Sequence, residues 1–309
     1  MNYNKSTNTF KSSNRASEIT YYIYKPISEP KGIVQLSHGM CEYIERYEDF
    51  IDFLTGHGFI VCGNDHLGHG KSVSSKDKLG YFAPENGWSC LVDDLSILTK
   101  IMKEQYSNLP IFLFGHSMGS FIARIYMTRY SDLIQGAIIC GTSGSNPLLG
   151  AGKVMIQLVQ KLKGPFYRSK FIRFLMFGSY NSKFKKPRTH FDWLTNDPAI
   201  IDAYMKDEYC NFIFTSSAFS DLATLLDTVS QDSWYHAVPK KLPLYLISGD
   251  MDPVGNWGKG IEEVKNRLKK ENLEDFSSKF YKDFRHEILN EIDKDKVYED
   301  VLIWLNQRI

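Results

Sequence analysis

Short apolar runs alternate along this chain with longer segments in which apolar residues recur at helical spacing. The runs predict buried strands at 33–37, 59–63, 111–114, 136–140 and 243–248, a weaker strand around Phe280, and an antiparallel edge strand at 19–24. The segments between them predict helices at 47–57, 91–106 and 117–130, and a last helix ends near Ile309. Strands that alternate with helices predict a mostly parallel central sheet flanked by crossover helices.

This alternation stops between Gly144 and about Pro239, where the pattern is mainly helical. A helical block inside a βα rhythm predicts an insertion that covers the sheet and adds no strand to it. We therefore expect a core formed by 1–143 and 240–309, and a helical cap or lid formed by 144–239.

The composition is that of a globular protein. Of the 309 residues, 43% are hydrophobic and 24% are charged, and the formal net charge of +1 gives no reason to expect a nucleic-acid partner. No stretch is long and apolar enough to span a bilayer, and the polar residues 1–15 do not resemble an export signal. The five cysteines are widely spaced and form no C-x-x-C pair, which favours a reducing, cytoplasmic location.

One pentapeptide, Gly-His-Ser-Met-Gly at 115–119, matches G-x-S-x-G. It follows a predicted strand and precedes a predicted helix, so Ser117 is expected on the tight turn of a nucleophile elbow. Glycine at both ends avoids side chains that would crowd this turn. The N-terminus of the following helix favours negative charge on the reacting oxygen. Ser117 is therefore the candidate nucleophile.

A serine hydroxyl needs a general base, and the base needs a carboxylate to orient it. With an elbow of this kind the chain order is serine, acid, histidine, each at the end of a strand. Three histidines follow the elbow, and two of them, His190 and His236, lie in the cap or its return. His286 follows the strand around Phe280 and is the candidate base.

Two carboxylates compete for the role of the acid, because Asp250 and Asp252 both follow the strand at 243–248. Pro253 biases the residue before it towards an extended conformation and stiffens the loop, which favours Asp252. Asp250 remains the alternative.

An oxyanion hole requires two backbone N–H groups directed at the tetrahedral intermediate. Met118, directly after the candidate nucleophile, supplies one of them. The other is expected from the loop after an earlier strand, where Ser-His-Gly-Met occupies 37–40 and Met40 is the candidate donor.

Two segments invite comparison with metal sites, and neither fits. His66 and His69 are three residues apart, but the thiolates or acidic cluster that would complete a site are missing, so 65–70 is predicted to be a structural loop. His286 and Glu287 do not continue into H-E-x-x-H, because residue 290 is asparagine. We expect no metal and no cofactor.

Six segments resemble, in the same order, the monoacylglycerol lipase and lysophospholipase branch of the α/β-hydrolases (serine aminopeptidase S33-type hydrolases). They are SHGMCE at 37–42, RY at 46–47, DHLGHGKS at 65–72, GHSMG at 115–119, GDMDPV at 249–254 and RHE at 285–287. The resemblance spans nearly the whole chain and implies the α/β-hydrolase fold with an inserted, mainly helical cap. It implies a triad of Ser117, Asp252 and His286, with Met40 and Met118 as oxyanion donors.

The first part of the cap is strongly basic. Residues 151–191 contain no acidic side chain and ten basic ones: Lys153, Lys161, Lys163, Arg168, Lys170, Arg173, Lys183, Lys185, Lys186 and Arg188. The same segment carries an apolar stripe at helical spacing (Met155, Leu158, Val159, Leu162) and a second apolar cluster (Phe171, Phe174, Leu175, Phe177). A basic face with an apolar stripe is typical of a helix on an anionic membrane surface. The other interpretation is that the stripe packs over the pocket and the lysines are solvated.

These patterns predict a serine hydrolase that cleaves carboxylic esters of single-acyl lipids, such as monoacylglycerols or lysophospholipids, through an acyl-enzyme. An aminopeptidase or amidase on the same fold is an alternative, although it would need an acidic residue in the cap to bind a substrate amine, and acidic residues occur in the cap only after position 191. A non-catalytic ligand-binding module is a further alternative. The serine at 117 argues against dehalogenases and epoxide hydrolases, whose elbow carries a carboxylate.

Overall fold

A computed structural model describes residues 3–309 of the chain. At its centre is one sheet of eight strands with the order β1-β2-β4-β3-β5-β6-β7-β8. The strands are β1 Tyr3–Lys11, β2 Glu18–Pro26, β3 Gly32–Ser37, β4 Phe59–Asn64, β5 Ile111–His116, β6 Gly136–Cys140, β7 Leu244–Gly249 and β8 Phe276–Tyr281. All neighbours from β4 to β8 are parallel, which confirms the predicted, mostly parallel sheet.

Ten α-helices connect or cover these strands. They are α1 Glu48–Gly56, α2 Gly87–Gln105, α3 Met118–Arg129, α4 Leu149–Lys163, α5 Lys170–Phe177, α6 Pro198–Lys206, α7 Ser216–Ser230, α8 Asp232–Ala237, α9 Lys259–Lys270 and α10 Asp295–Asn306. Helices α1 and α10 cover one face of the sheet, and α2, α3 and α9 cover the other. Because both faces are covered, every residue of β3 to β7 is buried, which explains why these strands are continuous apolar runs in the sequence.

The N-terminal strand prediction was wrong about the edge of the sheet. Strand β2, which contains 19–24, is antiparallel as expected, but it pairs with β4 on one side and with β1 on the other. Strand β1 takes the edge, and Tyr3 is its only buried residue. A strand that is polar on both faces leaves no alternation of apolar residues to detect, so the sequence pattern missed it.

The segment between β6 and β7 contains α4 to α8 and, within 144–239, no strand. All five cysteines are free thiols. Within residues 3–309, no helix is long and apolar enough to cross a membrane.

A buried arginine joins the two ends of this helical segment to the nucleophile-bearing part of the core. Arg124, on α3, donates to Ser143 O at 2.9 Å, where the chain leaves β6, and to Val229 O at 2.7 Å, where α7 ends. Its guanidinium also lies 4.1 Å from the ring centroid of Trp234 on α8. Arg124 is only 1% exposed, so these carbonyls and rings replace water around its charge.

We predict that Arg124→Ala lowers the free energy of unfolding by about 3 kcal/mol or more, because it leaves buried carbonyls without donors and removes packed atoms. Arg129→Ala is the matched control on the same helix. Arg129 is partly exposed and pairs with Asp93 at 3.5 Å, so its loss should cost less than about 1 kcal/mol. Urea denaturation, followed by tryptophan fluorescence, measures the free energy of unfolding of both variants. Equal losses of stability would contradict this role of Arg124.

Candidate active site

The predicted elbow is a strained turn between β5 and α3. Ser117 has φ +54° and ψ −121°, and its N–H donates to Cys140 O of β6 at 3.0 Å. A positive φ is uncommon for a residue with a side chain, and such strain persists only where the surroundings enforce it. The turn places a half-buried hydroxyl at the N-terminus of a helix, at the carboxyl edge of the sheet.

The glycines around Ser117 are required by close contacts. A Cβ at position 119 would lie 2.0 Å from Ser37 O, and one at position 115 would lie 2.5 Å from Gly119 O. Helix α3 therefore lies against the ends of β3 and β5 more closely than any residue with a side chain allows.

The structure brings His286 and Asp252 together. His286 Nδ1 lies 2.9 Å from Asp252 Oδ2, and both side chains are buried. Asp252 Oδ1 also accepts from Val254 N at 2.8 Å, which fixes the carboxylate in its loop. Asp250 faces another way, since its Oδ1 accepts from Asp283 N at 2.7 Å.

Ser117 Oγ makes no hydrogen bond to His286 within residues 3–309, although His116 and Gly141, on either side of the elbow, lie beside the His286 ring. His116, directly before Ser117, has its ring centroid 4.8 Å from that of His286. A Cβ on Gly141, the residue after β6, would lie 3.2 Å from His286 Cε1. Serine–histidine hydrogen bonds are often long before substrate is bound.

Three residues of the segment between β6 and β7 hold the loop that carries His286. The backbone N–H of His286 donates to Trp193 O at 3.3 Å, and that of Glu287 donates to Leu194 O at 2.7 Å. The Trp193 ring lies 5.1 Å from the His286 ring, centroid to centroid. Arg285 donates to Thr195 O at 2.9 Å, so the cap segment 193–195 is bonded directly to the loop that carries the candidate base.

The loop after β3 leaves the backbone N–H of Met40 without an acceptor among residues 3–309. Gly39 N donates to the Glu42 carboxylate and Cys41 N donates to His69 Nε2 at 3.2 Å. Met40 N, between them, has no acceptor in the part of the chain that the structure describes, and the same holds for Met118 N. These are the two N–H groups that the sequence predicts as oxyanion donors.

Two of the three histidines around this loop, His38 and His69, hold backbone groups with their rings, while His66 Nε2 lies 3.1 Å from Ser37 Oγ. His38 Nε2 accepts from His66 N at 2.9 Å, so the proton is on Nδ1, which donates to Gly39 O at 2.8 Å. Burial, together with the nearby His38, lowers the pKa of His69 to about 3, which keeps its Nε2 available to accept from Cys41 N. Among residues 3–309, no group of three or more His, Cys, Asp or Glu side chains could hold a metal ion.

Beneath the site lies a buried polar network that the sequence reasoning left without a role. It comprises Glu42, Arg46, Tyr47, His116 and Glu287. A cavity of about 10 Å³, the size of one water molecule, lies among Glu42, Tyr47, His116 and Glu287. The only sequence signal for these residues is their place in the segments that carry the family resemblance.

The apolar stripe of the cap faces outwards. Of the fifteen large hydrophobic side chains that are exposed in the described chain, ten lie between Leu148 and Leu175. On α4, Leu158 is 50% and Leu162 is 70% exposed, while Ile156 takes the inward position. On α5, Phe174 is 69% exposed. The expectation that the stripe packs over the pocket is therefore wrong for Leu158 and Leu162.

Comparison with known proteins agrees with this architecture. The family described as "Serine aminopeptidase, S33" matches residues 28–293. A monoacylglycerol lipase of Mycolicibacterium smegmatis is 25% identical over 290 residues, 93% of this chain and 92% of the relative. The monoglyceride lipase of Homo sapiens is 27% identical over 296 residues, 92% of this chain and 86% of the relative.

Among solved structures, a thermostable carboxyl esterase from Bacillus coagulans in complex with glycerol superposes with a TM-score of 0.92. It is 32% identical, and the match covers 98% of each chain. The chain therefore belongs to the serine aminopeptidase S33 family of α/β-hydrolases, within its monoacylglycerol lipase-like branch, and is a carboxylic ester hydrolase.

Proposed function

We propose that this enzyme cleaves single-acyl lipid esters, monoacylglycerols or lysophospholipid-like esters, through an acyl-enzyme on Ser117. The observation that carries the proposal is the buried 2.9 Å contact between His286 Nδ1 and Asp252 Oδ2 beside the strained elbow. The names of the relatives add support, because two of them are lipases of monoacylglycerols. The Bacillus coagulans esterase was solved with glycerol, the alcohol of a monoacylglycerol.

In this mechanism His286 Nε2 takes the Ser117 proton as Oγ attacks the ester carbonyl. The negative oxygen of the tetrahedral intermediate accepts from the Met40 and Met118 N–H groups. The intermediate collapses as His286 protonates the leaving alcohol. Water, deprotonated by the same imidazole, then releases the fatty acid and restores Ser117. Asp252 orients the ring and stabilises its charged form.

An aminopeptidase activity has less support, because the acidic residues late in the cap already have partners. Asp202 pairs with Arg188 at 2.7 Å and Glu208 pairs with Lys76 at 2.5 Å. Asp207 accepts from the Tyr43 hydroxyl at 2.7 Å, and Asp197 caps α6 through Ala199 N at 2.8 Å. Each carboxylate thus has a structural partner in place of a substrate amine.

We also propose that the cap segment 148–175 contacts an anionic lipid surface while substrate is taken up. Its exposed apolar side chains lie among exposed lysines of the same segment: Lys161, Lys163 and Lys170. Exposed apolar side chains that are concentrated in one segment beside polar ones are typical of surfaces that bind a protein or a membrane. Lysines beside it select anionic headgroups.

We expect the wild-type protein to hydrolyse p-nitrophenyl esters, a monoacylglycerol and a lysophospholipid, and Ser117→Ala to lose at least about 10⁴-fold in kcat, because no other nucleophile is available. A chain-length series of the p-nitrophenyl esters, followed by absorbance, reports the depth of the acyl pocket. A set of aminoacyl p-nitroanilides tests the amidase alternative. Faster release from the anilides than from any ester would overturn the ester proposal.

The two carboxylates after β7 form a matched pair of variants. Asp252→Asn should lower kcat by about 10³- to 10⁴-fold, because the amide cannot stabilise charged His286 and favours the wrong tautomer. Asp250→Asn keeps an oxygen for Asp283 N and should stay within about twofold of wild type. Steady-state kinetics on one ester compares them, and the reverse ranking would assign the acid to Asp250.

Vesicle sedimentation tests the surface contact. With phosphatidylcholine vesicles that contain phosphatidylglycerol, Lys161→Gln with Lys163→Gln should weaken binding about 25-fold, at about 1 kcal/mol for each lysine. Lys269→Gln with Lys270→Gln, two exposed lysines on α9, is the control and should change it little. Equal binding to vesicles without the anionic lipid, or equal losses in both double variants, would contradict the proposal.

A further inference from the structure

The carboxylate of Glu42 is the centre of the buried network. The side chain is 4% exposed, yet several donors converge on it. Its Oε1 accepts from Gly39 N and from the Tyr47 hydroxyl at 2.9 Å, and its Oε2 accepts from Arg46 at 2.9 Å. Burial opposes ionisation of Glu42, but the hydrogen bond and the charge of the adjacent His116, together with the charge of Arg46, hold the pKa of this carboxyl well below its usual value.

Arg46 connects this carboxylate to the loop of the candidate base. Its guanidinium makes two hydrogen bonds to Glu287, at 3.1 and 3.0 Å, while it holds Glu42 from the other side. Glu287 directly follows His286 in the chain. A bidentate guanidinium–carboxylate pair has a defined direction, so it restricts how the two loops sit relative to each other.

His116 makes a second connection between the same loops. Its Nδ1 lies 3.2 Å from the hydroxyl oxygen of Tyr47, whose proton goes to Glu42, and 3.3 Å from Glu42 Oε1, and its Nε2 lies 3.3 Å from the backbone oxygen of His286. Since both ring nitrogens face acceptors, the ring is best satisfied as an imidazolium that donates at each end. Burial opposes that charge, but the hydrogen bond and the charge of Glu42 raise the pKa of His116 above its usual value.

Gly39 lies directly between this network and the elbow. A Cβ at this position would lie 2.5 Å from Glu42 Oε1 and 3.0 Å from the Cβ of Ser117. A shift of the Glu42 carboxylate therefore passes directly to the peptide that ends at Met40 N. Small displacements matter here, because a misplacement of about 1 Å in an active site can cost about 100-fold in rate.

We propose that Glu42 is a positioning residue for ester cleavage. Its carboxylate holds the Gly39 N–H, so that the next N–H, that of Met40, points at the oxyanion. Through Arg46 and His116 the same carboxylate fixes the position of this donor relative to His286. This inference rests on the proposed function. Glu42 touches neither substrate nor Ser117 Oγ in this role. It acts through the loop at 39–40.

The test compares Glu42→Gln with Glu45→Gln. Glu45 is a matched control, because it is also ion-paired, with Lys71 at 2.8 Å, and lies three residues away without contacting the 39–40 loop. We expect Glu42→Gln to lower kcat by about 10- to 100-fold with KM changed less than about threefold, a smaller loss than that of a whole oxyanion donor. Glu45→Gln should keep kcat within about twofold of wild type.

Inhibitor affinity separates positioning from a general loss of structure. The Ki of a trifluoromethyl ketone, whose adduct carries an oxyanion, should rise by the same factor as kcat/KM falls, while the affinity for the product fatty acid stays unchanged. Tyr47→Phe is a second variant, which removes one donor to the Glu42 carboxylate and leaves the charged groups of the network in place. It should show the same pattern with a smaller change, about threefold. It replaces Glu42→Gln in the test if that variant does not fold.

The outcomes separate this proposal from the proposed function. Wild-type kcat in Glu42→Gln, or a ketone Ki that stays constant while only the melting temperature falls, would overturn the positioning role and leave ester cleavage intact. A wild-type enzyme that cleaves no ester would overturn both.

Discussion

The N-terminal turn of α3 lies so close to the end of β3 that residue 119 can carry no side chain, and the geometry of the site depends on this contact. A Cβ there would meet Ser37 O at 2.0 Å. Ser37 leads directly into the loop that contains Met40, and α3 begins with Met118. The contact therefore places on adjacent segments two N–H groups that have no acceptor among residues 3–309. The positive φ of Ser117 is the local cost of turning the chain sharply enough to reach this arrangement.

Two buried guanidinium groups join parts of the chain that are far apart in sequence, and they do so with different chemistry. Arg46 lies between the carboxylates of Glu42 and Glu287, whose charges raise its pKa although burial opposes the charged form. Arg124 donates to carbonyls and lies against aromatic rings, and burial lowers its pKa. Compared with apolar side chains of the same size, buried charges bring little net stability, but their hydrogen bonds are directional. These hydrogen bonds can therefore fix the relative position of two loops, which apolar contacts alone would leave free to shift.

The sequence predicted those features that depend on local pattern or on the order of elements. Continuous apolar runs predicted β3 to β7, because both faces of these strands are covered. Parallel strands share a carboxyl edge, so the order of the loops predicted that His286 would meet Asp252 or Asp250. The choice between them required the actual course of the loop, in which Asp250 turns to Asp283 N. Strand β1 escaped prediction because eight of its nine residues are not buried.

Contacts between distant residues had no such local signal. Nothing in the spacing of Glu42, His116 and Glu287 indicates that they share one cavity, because each is an ordinary polar residue beside a turn. The exposure of Leu158 and Leu162 was also undetermined, since an amphipathic stripe has the same period whether it faces a pocket or a lipid surface. Only the packing of α4 against α7, with Ile156 inward, shows that Leu158 and Leu162 are exposed.

The cap has two parts with opposite relations to the catalytic loops. The carbonyls of segment 193–195 accept hydrogen bonds from the backbone of His286 and Glu287 and from the Arg285 side chain, so this segment is tied to the candidate base. Segment 148–175 makes few such bonds to the core: Arg168 donates to Asp77 O, whereas Lys153 pairs with Asp227 on α7, which belongs to the same helical insertion. The proposed contact of 148–175 with a lipid surface is therefore compatible with a His286 that stays aligned with Asp252. Because the two segments are separate, the chain can expose an apolar surface at 148–175 without disturbing the buried loop that carries His286.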